Sequence, residues 1–269
     1  MSNLRVSMSK AALVLMGCVL LNSCQVEDLN SFTSGKGSVA LNLSTSTTFD
    51  VKTKAVDESA YKIAGNYTVN ILKAGTNEVV NTFKYADKPA SISLDNGAYT
   101  IKAFYGSDAQ PASRTDFYVV GSANFNVNGE TNKAVSVACK PTYGKVITEF
   151  TNMDTYFSDY YVVYTTSKVT DASVKWLKGD NATTPGPWYL KLNEGGEKVT
   201  ATIHIVPKNE YQTKAVKLVK EYQLAPNQAW TLKVSPSYNN TTGQLGVAIT
   251  IDETTNDVPV DIIIPSEWI

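Results

Sequence analysis

Apolar and polar residues alternate along many short segments of the chain after residue 35. In the first of these, Val39, Leu41 and Leu43 are separated by small or polar residues. A period of two places every second side chain on the same face of a strand, so the pattern predicts half-buried β-strands. No segment keeps the period of an amphipathic helix for more than one or two turns. The pattern predicts an all-β body.

Turn-forming residues divide the strands into two groups. The first group is predicted at residues 37–43, 67–72, 79–85, 91–94, 99–103, 124–128 and 133–140. Asn96-Gly97 accepts positive φ angles and predicts a β-hairpin, and a second Asn-Gly turn stands at residues 128–129. This density of short strands is typical of a β-sandwich.

A second group of strands follows a plausible boundary at residues 141–144. It is predicted at residues 145–150, 160–165, 188–192, 198–207, 217–224, 229–236, 244–251 and 260–264, with a long loop at 179–187. The sequence therefore predicts two tandem immunoglobulin-like or transthyretin-like β-sandwich domains, one over residues 35–141 and one over residues 142–269.

The two groups resemble each other in sequence. Residues 98–103 align with residues 229–234, and each segment follows a Leu and a turn. Farther on, Thr131-Asn132 aligns with Thr255-Asn256. A period of roughly 125 residues indicates two copies of one unit. Chance alternation of Thr and Val is the alternative explanation for part of the match.

The first residues have the layout of a secretory signal. Arg5 and Lys10 accompany an apolar run at residues 11–21, and a small residue, Ser23, precedes Cys24. The run is too short to span a bilayer as a helix in the mature protein.

The segment Leu21-Asn22-Ser23-Cys24 resembles the bacterial lipobox, although Asn22 departs from the usual small residue. The resemblance implies a signal peptide over residues 1–23, acylation of Cys24, and a lipidated linker over residues 24–34. One alternative is a second box that ends at Cys18, and another is an ordinary cleaved signal of a soluble secreted protein.

The residues after Cys24 are acidic: Glu27 and Asp28 follow Gln25-Val26. This stretch resembles the export signal of Bacteroidetes-type lipoproteins, which implies an outer-membrane protein exposed at the cell surface. A solvated acidic linker is the alternative. No later segment approaches the roughly twenty apolar residues of a membrane helix, so lipid is expected to be the only membrane attachment.

The charge of the chain bears on nucleic-acid binding, and its cysteine content bears on disulfide bonds. The chain has 24 Lys and Arg against 25 Asp and Glu, and no basic run, so no nucleic-acid partner is expected. With Cys18 removed and Cys24 acylated, Cys139 has no cysteine to pair with. It lies in an alternating run and is expected to be a small, buried apolar residue.

Catalytic and metal-binding patterns are missing from the sequence. His204 is the only histidine, which leaves no basis for a His-rich metal site. A Ser-His-Asp triad would need it as the base, and no nucleophile-elbow or phosphate-loop motif accompanies it. The sequence predicts no catalytic residue, no metal and no cofactor, and hence a protein that is not an enzyme.

Aromatic residues are the candidate ligand contacts. With a period of two, Tyr156, Tyr160 and Tyr164 share one face, and Trp188 and Tyr189 follow the long loop. Flat aromatic rings stack on sugars or act as hot spots for proteins, so a glycan or protein ligand is expected. The alternative is that these rings fill the two cores and the interface between the domains.

Several segments together resemble the domain of unknown function 4493 of Bacteroidetes-type lipoproteins. They are Gly35-Lys36-Gly37, residues 39–44, Lys54-Ala55, Tyr67-Thr68-Val69, residues 94–106, Ile251-Asp252-Glu253 and residues 264–268. The resemblance implies a lipidated, β-rich surface protein without an assigned activity. Residues 94–99 also resemble a hairpin of fimbrillin-like and transthyretin-like domains, which is an analogy of fold only.

The expected function is therefore a non-enzymatic cell-surface lipoprotein for binding or adhesion. The alternative is a structural or accessory component of a fimbria-like or outer-membrane assembly, for which residues 45–64 are the candidate donor strand. A hydrolase is the third and weakest interpretation, because no catalytic motif supports it.

Overall fold

The computed structural model describes residues 35–49, 56–209, 215–241, 244–252 and 260–262. The predicted signal peptide, Cys24 with its linker, and Thr255-Asn256 lie outside these residues. Within the described ranges the regular structure consists of β-strands and short 3₁₀ turns, with no α-helix. In the same ranges no helix has the length and apolar character needed to cross a membrane.

The first half of the chain forms eight strands. They are β1 (Lys36–Thr45), β2 (Thr68–Lys73), β3 (Val79–Lys84), β4 (Ile92–Asp95), β5 (Gly97–Tyr105), β6 (Ala112–Ser113), β7 (Val119–Val127) and β8 (Lys133–Pro141). Three 3₁₀ turns lie between them, at Glu58–Lys62, Ala64–Asn66 and Tyr85–Asp87. Seven of these strands form one sheet in the order β3-β2-β5-β7-β8-β1-β4. Its two parts, β3-β2-β5-β7 and β8-β1-β4, are joined where β7 pairs with β8, and both contribute side chains to one core.

The second half forms nine strands and a 3₁₀ turn at Met153–Thr155. The strands are β9 (Tyr143–Phe150), β10 (Phe157–Thr165), β11 (Lys175–Leu177), β12 (Trp188–Lys191), β13 (Glu197–Pro207), β14 (Val216–Leu224), β15 (Ala229–Asn239), β16 (Gln244–Asp252) and β17 (Val260–Ile262). One sheet has the order β17-β16-β15-β9-β12-β6, and the other has the order β11-β10-β13-β14.

The two halves repeat one topology. The order β4-β1-β8 in the first half matches β12-β9-β15 in the second, and β3-β2-β5-β7 matches β11-β10-β13-β14. In both halves the first strand pairs in parallel with the strand that returns to it, β1 with β8 and β9 with β15. An apolar core lies between the two parts of the seven-stranded sheet in the first half, and another lies between the two sheets of the second half. The predicted all-β fold of two tandem β-sandwiches is confirmed.

The sequence alignment behind the predicted repeat is wrong in detail. Residues 98–103 lie in β5, whose topological equivalent is β13, whereas residues 229–234 lie in β15, whose equivalent is β8. Alternating Thr and aliphatic residues occur in every strand that has one buried face, so the match reflected strand character rather than equivalent positions.

The hairpin predicted at Asn96-Gly97 is also wrong. Strand β4 pairs with β1, and β5 pairs with β2 and β7, so this turn links two strands that are not neighbours in the sheet. Turn chemistry reverses the chain locally, but the burial of side chains decides which strand becomes the partner. The Oδ1 atom of Asn96 accepts a hydrogen bond from the backbone N–H of Gly129 at 2.8 Å, so both Asn-Gly turns meet at one end of the first sandwich.

Strand β1 connects that end to the second sandwich. At its start, the carbonyl of Gly35 accepts a hydrogen bond from the backbone N–H of Asn96 at 2.8 Å. Beyond its end, the backbone N–H of Thr48 donates to Oδ1 of Asn227, between β14 and β15, at 3.0 Å. Ten residues of strand span about 33 Å, so β1 runs the length of the first sandwich toward the junction.

Several contacts cross the junction between the halves. Strand β6 pairs with β12, and the side chains of Tyr143 and Tyr189 pack into the first core. The ammonium of Lys145 lies 2.8 Å from a carboxylate oxygen of Glu58, and the two side chains are only 2% and 1% exposed. The described residues belong to one compact unit. The predicted domain boundary after residue 141 stays a prediction.

Candidate functional site

The five predicted ligand-contact aromatics lie in different environments. Tyr160, Tyr164 and Tyr189 are buried, whereas Tyr156 and Trp188 are partly exposed. The hydroxyl of Tyr164 hydrogen-bonds the hydroxyl of Thr148 at 2.6 Å inside the second core. Fully buried rings such as Tyr164 and Tyr189 offer a ligand no surface in this conformation. A ligand-contact role for Tyr156 and Trp188 stays a prediction.

A β-bulge explains why the pattern misplaced the exposed side of β10. The pairing with β13 shifts between Phe157 and Asp159, which puts Phe157 on the same inner face as Tyr160. Tyr161 therefore points outward. Strict alternation would put Phe157 and Tyr161 on one face of the strand. The bulge separates them, so Phe157 is buried while Tyr161 is partly exposed.

The outer face of the sheet β11-β10-β13-β14 carries a row of interacting side chains. Tyr161 pairs in register with His204, and His204 pairs with Lys217 on the next strand. The rings of Tyr161 and His204 stack with centroids 4.4 Å apart and planes 8° apart. The ammonium of Lys175 lies 5.8 Å from the centroid of the Tyr161 ring. Such cross-strand contacts fix these side chains relative to the sheet.

Aliphatic side chains surround this row. Leu177 is 49% exposed, Val206 is 37% exposed and Val219 is 54% exposed. They are three of the six large hydrophobic residues that are exposed in the described part of the chain. Single exposed apolar residues are ordinary, but a contiguous group on one flat sheet marks an interaction surface. We call this surface the ladder face; it consists of Tyr161, Lys175, Leu177, His204, Val206, Lys217 and Val219.

The ladder face is positively charged at its centre. Within the described ranges, neither Lys175 nor Lys217 lies within ion-pair distance of a carboxylate. Glu221 on the rim is already paired with Lys198, at 3.0 Å. Burial, followed by the charges of Lys217 and Lys175, lowers the pKa of His204. The ring is therefore neutral near pH 7, and the two ammonium groups set the charge of the face.

Arg114 holds the edge of the ladder face in place. Its guanidinium donates hydrogen bonds to the carboxylate of Asp180 at 2.7 Å and to the carbonyl of Lys175 at 2.8 Å. It also donates to the carbonyl of Gly186 and lies 4.5 Å from the ring centroid of Trp188. These bonds tie the long loop after β11 to the body. Trp188, predicted as a ligand contact, thus packs behind the loop.

Sequence reasoning missed most of this face. The alternation around His204 correctly placed it opposite Ile203 and Ile205, whose side chains are buried. Leu177 and Val219 lie far apart in sequence from Tyr161, and only the pairing of four strands brings them together. In the ranges that the structure describes, no group of three or more His, Cys, Asp and Glu side chains is placed to hold a metal ion.

The fold gives the class of protein, and a comparison with known protein families gives the family. The chain is an all-β protein of two tandem sandwiches. It belongs to the family "Domain of unknown function (DUF4493)", whose model matches residues 35–266. None of the curated proteins matches it.

Solved structures similar to the chain come from Parabacteroides distasonis and Porphyromonas gingivalis. A fimbrial assembly protein from Parabacteroides distasonis is 10% identical, with 86% of this chain and 99% of that chain covered and a TM-score of 0.41. A fimbrilin from Porphyromonas gingivalis is 8% identical, with 80% and 96% covered and a TM-score of 0.44. The fimbrial anchor protein of the same organism is 10% identical, with 81% and 98% covered and a TM-score of 0.39.

Proposed function

We propose that this protein is a non-enzymatic surface lipoprotein, anchored in the outer membrane by lipid on Cys24, that binds a protein ligand through the ladder face. The exposed apolar and cationic ladder face is the observation that carries the proposal. Its exposed aliphatic side chains fit a protein surface, and Lys175 and Lys217, which have no ion-pair partner among the described residues, require carboxylates on that partner. No catalytic step is invoked.

The course of β1 supports a role in display. The linker ahead of Gly35 enters at the end of the first sandwich that carries the two Asn-Gly turns. Strand β1 then leads away from that end to the junction. The described chain thus begins at one end of the first sandwich, and the ladder face belongs to the second sandwich.

The binding test uses the lipid-free body, residues 25–269. It is immobilised and probed with a panel of purified extracellular proteins, with the lipid-free body itself and with a glycan array. We expect at least one protein ligand, whose affinity falls by about tenfold or more in Leu177→Asp/Val219→Asp, because charges replace the apolar contacts of the ladder face.

Ile63→Asp is the control, since Ile63 is an exposed aliphatic residue of the first half that lies outside both the ladder face and strand β3. It should bind like the unmodified body. Equal losses in both variants, ligands restricted to glycans, or no ligand in any arm would each reject the proposed protein-binding face.

Anchoring and location need a separate test in cells. Cys24→Ala should release the protein from the membrane fraction, because no acyl chain then holds it. Protease added to intact cells should remove the unmodified protein. Protection of the protein in intact cells, followed by degradation in lysed cells, would place it on the periplasmic side instead.

A second candidate function is that of a subunit in a surface assembly. Strand β3 ends its sheet, and Val79 and Val80 on it are exposed. An exposed strand edge is able to pair with another chain. The described part of residues 45–64, the predicted donor segment, is instead held in place: the side chains of Phe49 and Tyr61 are buried in the first core.

Self-association distinguishes this second function. Light scattering after size-exclusion chromatography should show oligomers that grow with protein concentration, and Val80→Lys should abolish them by placing a charge on the edge. A body that stays monomeric over the whole concentration range would remove the assembly function and leave the ladder-face proposal intact.

A further inference from the structure

A cleft lies where the two sandwiches meet, away from the ladder face. It has a volume of about 810 Å³. Strands β5, β7 and β8 line it from the first sandwich, and the end of β12 and the turn before β15 line it from the second. The volume falls within the range of known ligand sites, and such sites occur preferentially between domains. We call it the junction cleft.

Two lysines give the junction cleft its charge. Lys102 and Lys140 lie on the outer faces of β5 and β8, on either side of β7. Neither has a carboxylate partner in the part of the chain that the structure describes. The third lysine, Lys191, is different, because its ammonium lies 2.8 Å from the carboxylate of Asp108. Lys102 and Lys140 are therefore available to an anionic ligand.

An aromatic side chain lies between these lysines and the second sandwich. Tyr118 is half-buried, and its ring centroid lies 6.0 Å from that of Phe104. Its hydroxyl has no hydrogen-bond partner among the described residues. Burial, with Asp108 and Cys139 nearby, raises the pKa of Tyr118. The phenol stays protonated at neutral pH and is able to donate a hydrogen bond.

Polar groups complete the wall on the other side. The Oδ1 atom of Asn227 accepts the hydrogen bond from Thr48, which fixes the amide and leaves its N–H groups as donors. Thr142 lies beside it, with its hydroxyl 3.3 Å from the carbonyl of Tyr118. Two carboxylates also line the cleft: Asp108, which is paired with Lys191, and Glu194 of the second sandwich. With three lysines against these two carboxylates, the cleft combines a small excess of positive charge with an aromatic ring and neutral donors. A bare inorganic anion would use only the cations.

We infer that the junction cleft binds an acidic saccharide through a carboxylate held by Lys102 and Lys140. A uronic acid offers the matching chemistry: a carboxylate for the lysines, hydroxyls for Tyr118 and Asn227, and an apolar ring face for the aromatic side chain. This site is independent of the ladder face and of the protein ligand proposed for it.

Isothermal titration of the lipid-free body tests the inference. The probes are trigalacturonic acid, its neutral counterpart galactotriose, and inorganic phosphate. We expect trigalacturonic acid to bind and the other two to bind at least about tenfold more weakly, because each lacks part of the matching chemistry. Lys102→Ala/Lys140→Ala should weaken binding of trigalacturonic acid by about tenfold or more.

Lys175→Ala/Lys217→Ala is the matched control, because it removes two lysines from the ladder face instead. It should bind trigalacturonic acid like the unmodified body. Tyr118→Leu should weaken the binding of trigalacturonic acid and leave any binding of phosphate unchanged. No binding of trigalacturonic acid, equal binding of phosphate, or equal losses in the two lysine variants would overturn the inference.

Discussion

Packing changes the chemistry of Cys139, the thiol that remains without a cysteine partner. It is buried in the first core, and its Sγ atom lies 3.5 Å from the carbonyl of Ala103. Burial raises the pKa of the thiol to about 12, because the core solvates a thiolate poorly. The sequence prediction of a buried, apolar cysteine is confirmed.

We expect Cys139 in the folded lipid-free body to be inert toward a water-soluble disulfide reagent at about pH 8, since the thiolate is the reactive form. After unfolding in urea, one thiol per chain should react. Absorbance of the released thiol measures both states. Rapid reaction before urea is added would show that the core around Cys139 opens easily.

His204 should make stability depend on pH. Its pKa in the folded protein is lowered from 6.5, by burial and then by Lys217 and Lys175. The unfolded chain therefore binds a proton more readily, so stability is complete above about pH 6.5 and decreases as the pH falls toward the folded pKa. Urea midpoints should show this decrease, and His204→Gln should reduce it.

The pKa of His204 also measures the effect of the charges around it. It can be followed without ambiguity, because the chain has one histidine. In Lys217→Gln its pKa, followed by proton NMR, should rise toward the ordinary value. Lys198, which is exposed and paired with Glu221, provides the control. Lys198→Gln should leave the pKa of His204 unchanged. An equal response to both substitutions would mean that net charge, rather than the row on the ladder face, sets the pKa.

At the scale of elements, the long loop after β11 depends on one side chain. Arg114 bonds to Asp180 and to the carbonyls of Lys175 and Gly186, and it stacks on Trp188. Arg114→Ala should cost about 1.5–3 kcal/mol of unfolding free energy, as expected for hydrogen bonds to a charged group. It should also expose residues 178–187 to proteolysis.

Limited proteolysis with mapping of the first cut measures the effect on the loop. Arg114→Lys is the informative control, because it keeps the charge but loses the planar fork that bonds several acceptors at once. We expect an intermediate rate of cleavage. If both variants are cleaved at the wild-type rate, the turns within the loop hold it in place and Arg114 does not.

Strands were predictable as elements, but their partners were not. In β13, the alternation of Ile203 and Ile205 with polar residues predicted the strand and its buried face, which the structure confirms. The pairing of β4 with β1 rather than with β5 depends on residues far apart in sequence. The bulge after Phe157 likewise has no local signature, and it puts Phe157 on the same buried face as Tyr160.

At the scale of the molecule, a buried ion pair joins the two sandwiches. Glu58 comes from a 3₁₀ turn of the first half, and Lys145 comes from β9. The hydroxyl of Tyr189 donates to the same carboxylate oxygen at 2.6 Å. The ammonium also lies 5.7 Å from the ring centroid of Phe49. Partners 87 residues apart carry no signal in a single sequence, so the junction was not predictable.

Lys145→Met should destabilise the protein by about 3–5 kcal/mol, because it removes the ammonium that lies 2.8 Å from the buried carboxylate of Glu58. We expect calorimetry to show the single transition of the unmodified body separating into two, since the variant weakens the contact between the cores. Lys145→Met/Glu58→Gln should recover much of the loss, because no buried charge remains.

Lys198→Met removes one member of an exposed pair with Glu221 and serves as the matched control. Exposed pairs contribute about 0–1 kcal/mol, so its unfolding should resemble that of the unmodified body. If Lys145→Met costs no more than Lys198→Met, the buried pair does not join the sandwiches.

The direction of β1 also determines how the molecule responds to traction. Strand β1 is hydrogen-bonded to β4 along its first part and to β8 along the rest. A cell that pulls on the linker ahead of Gly35 while a ligand holds the second sandwich would pull β1 along its own axis. The cross-strand bonds are then sheared together rather than opened one after another. A pull applied at Gly35 therefore has to break many hydrogen bonds of β1 at once.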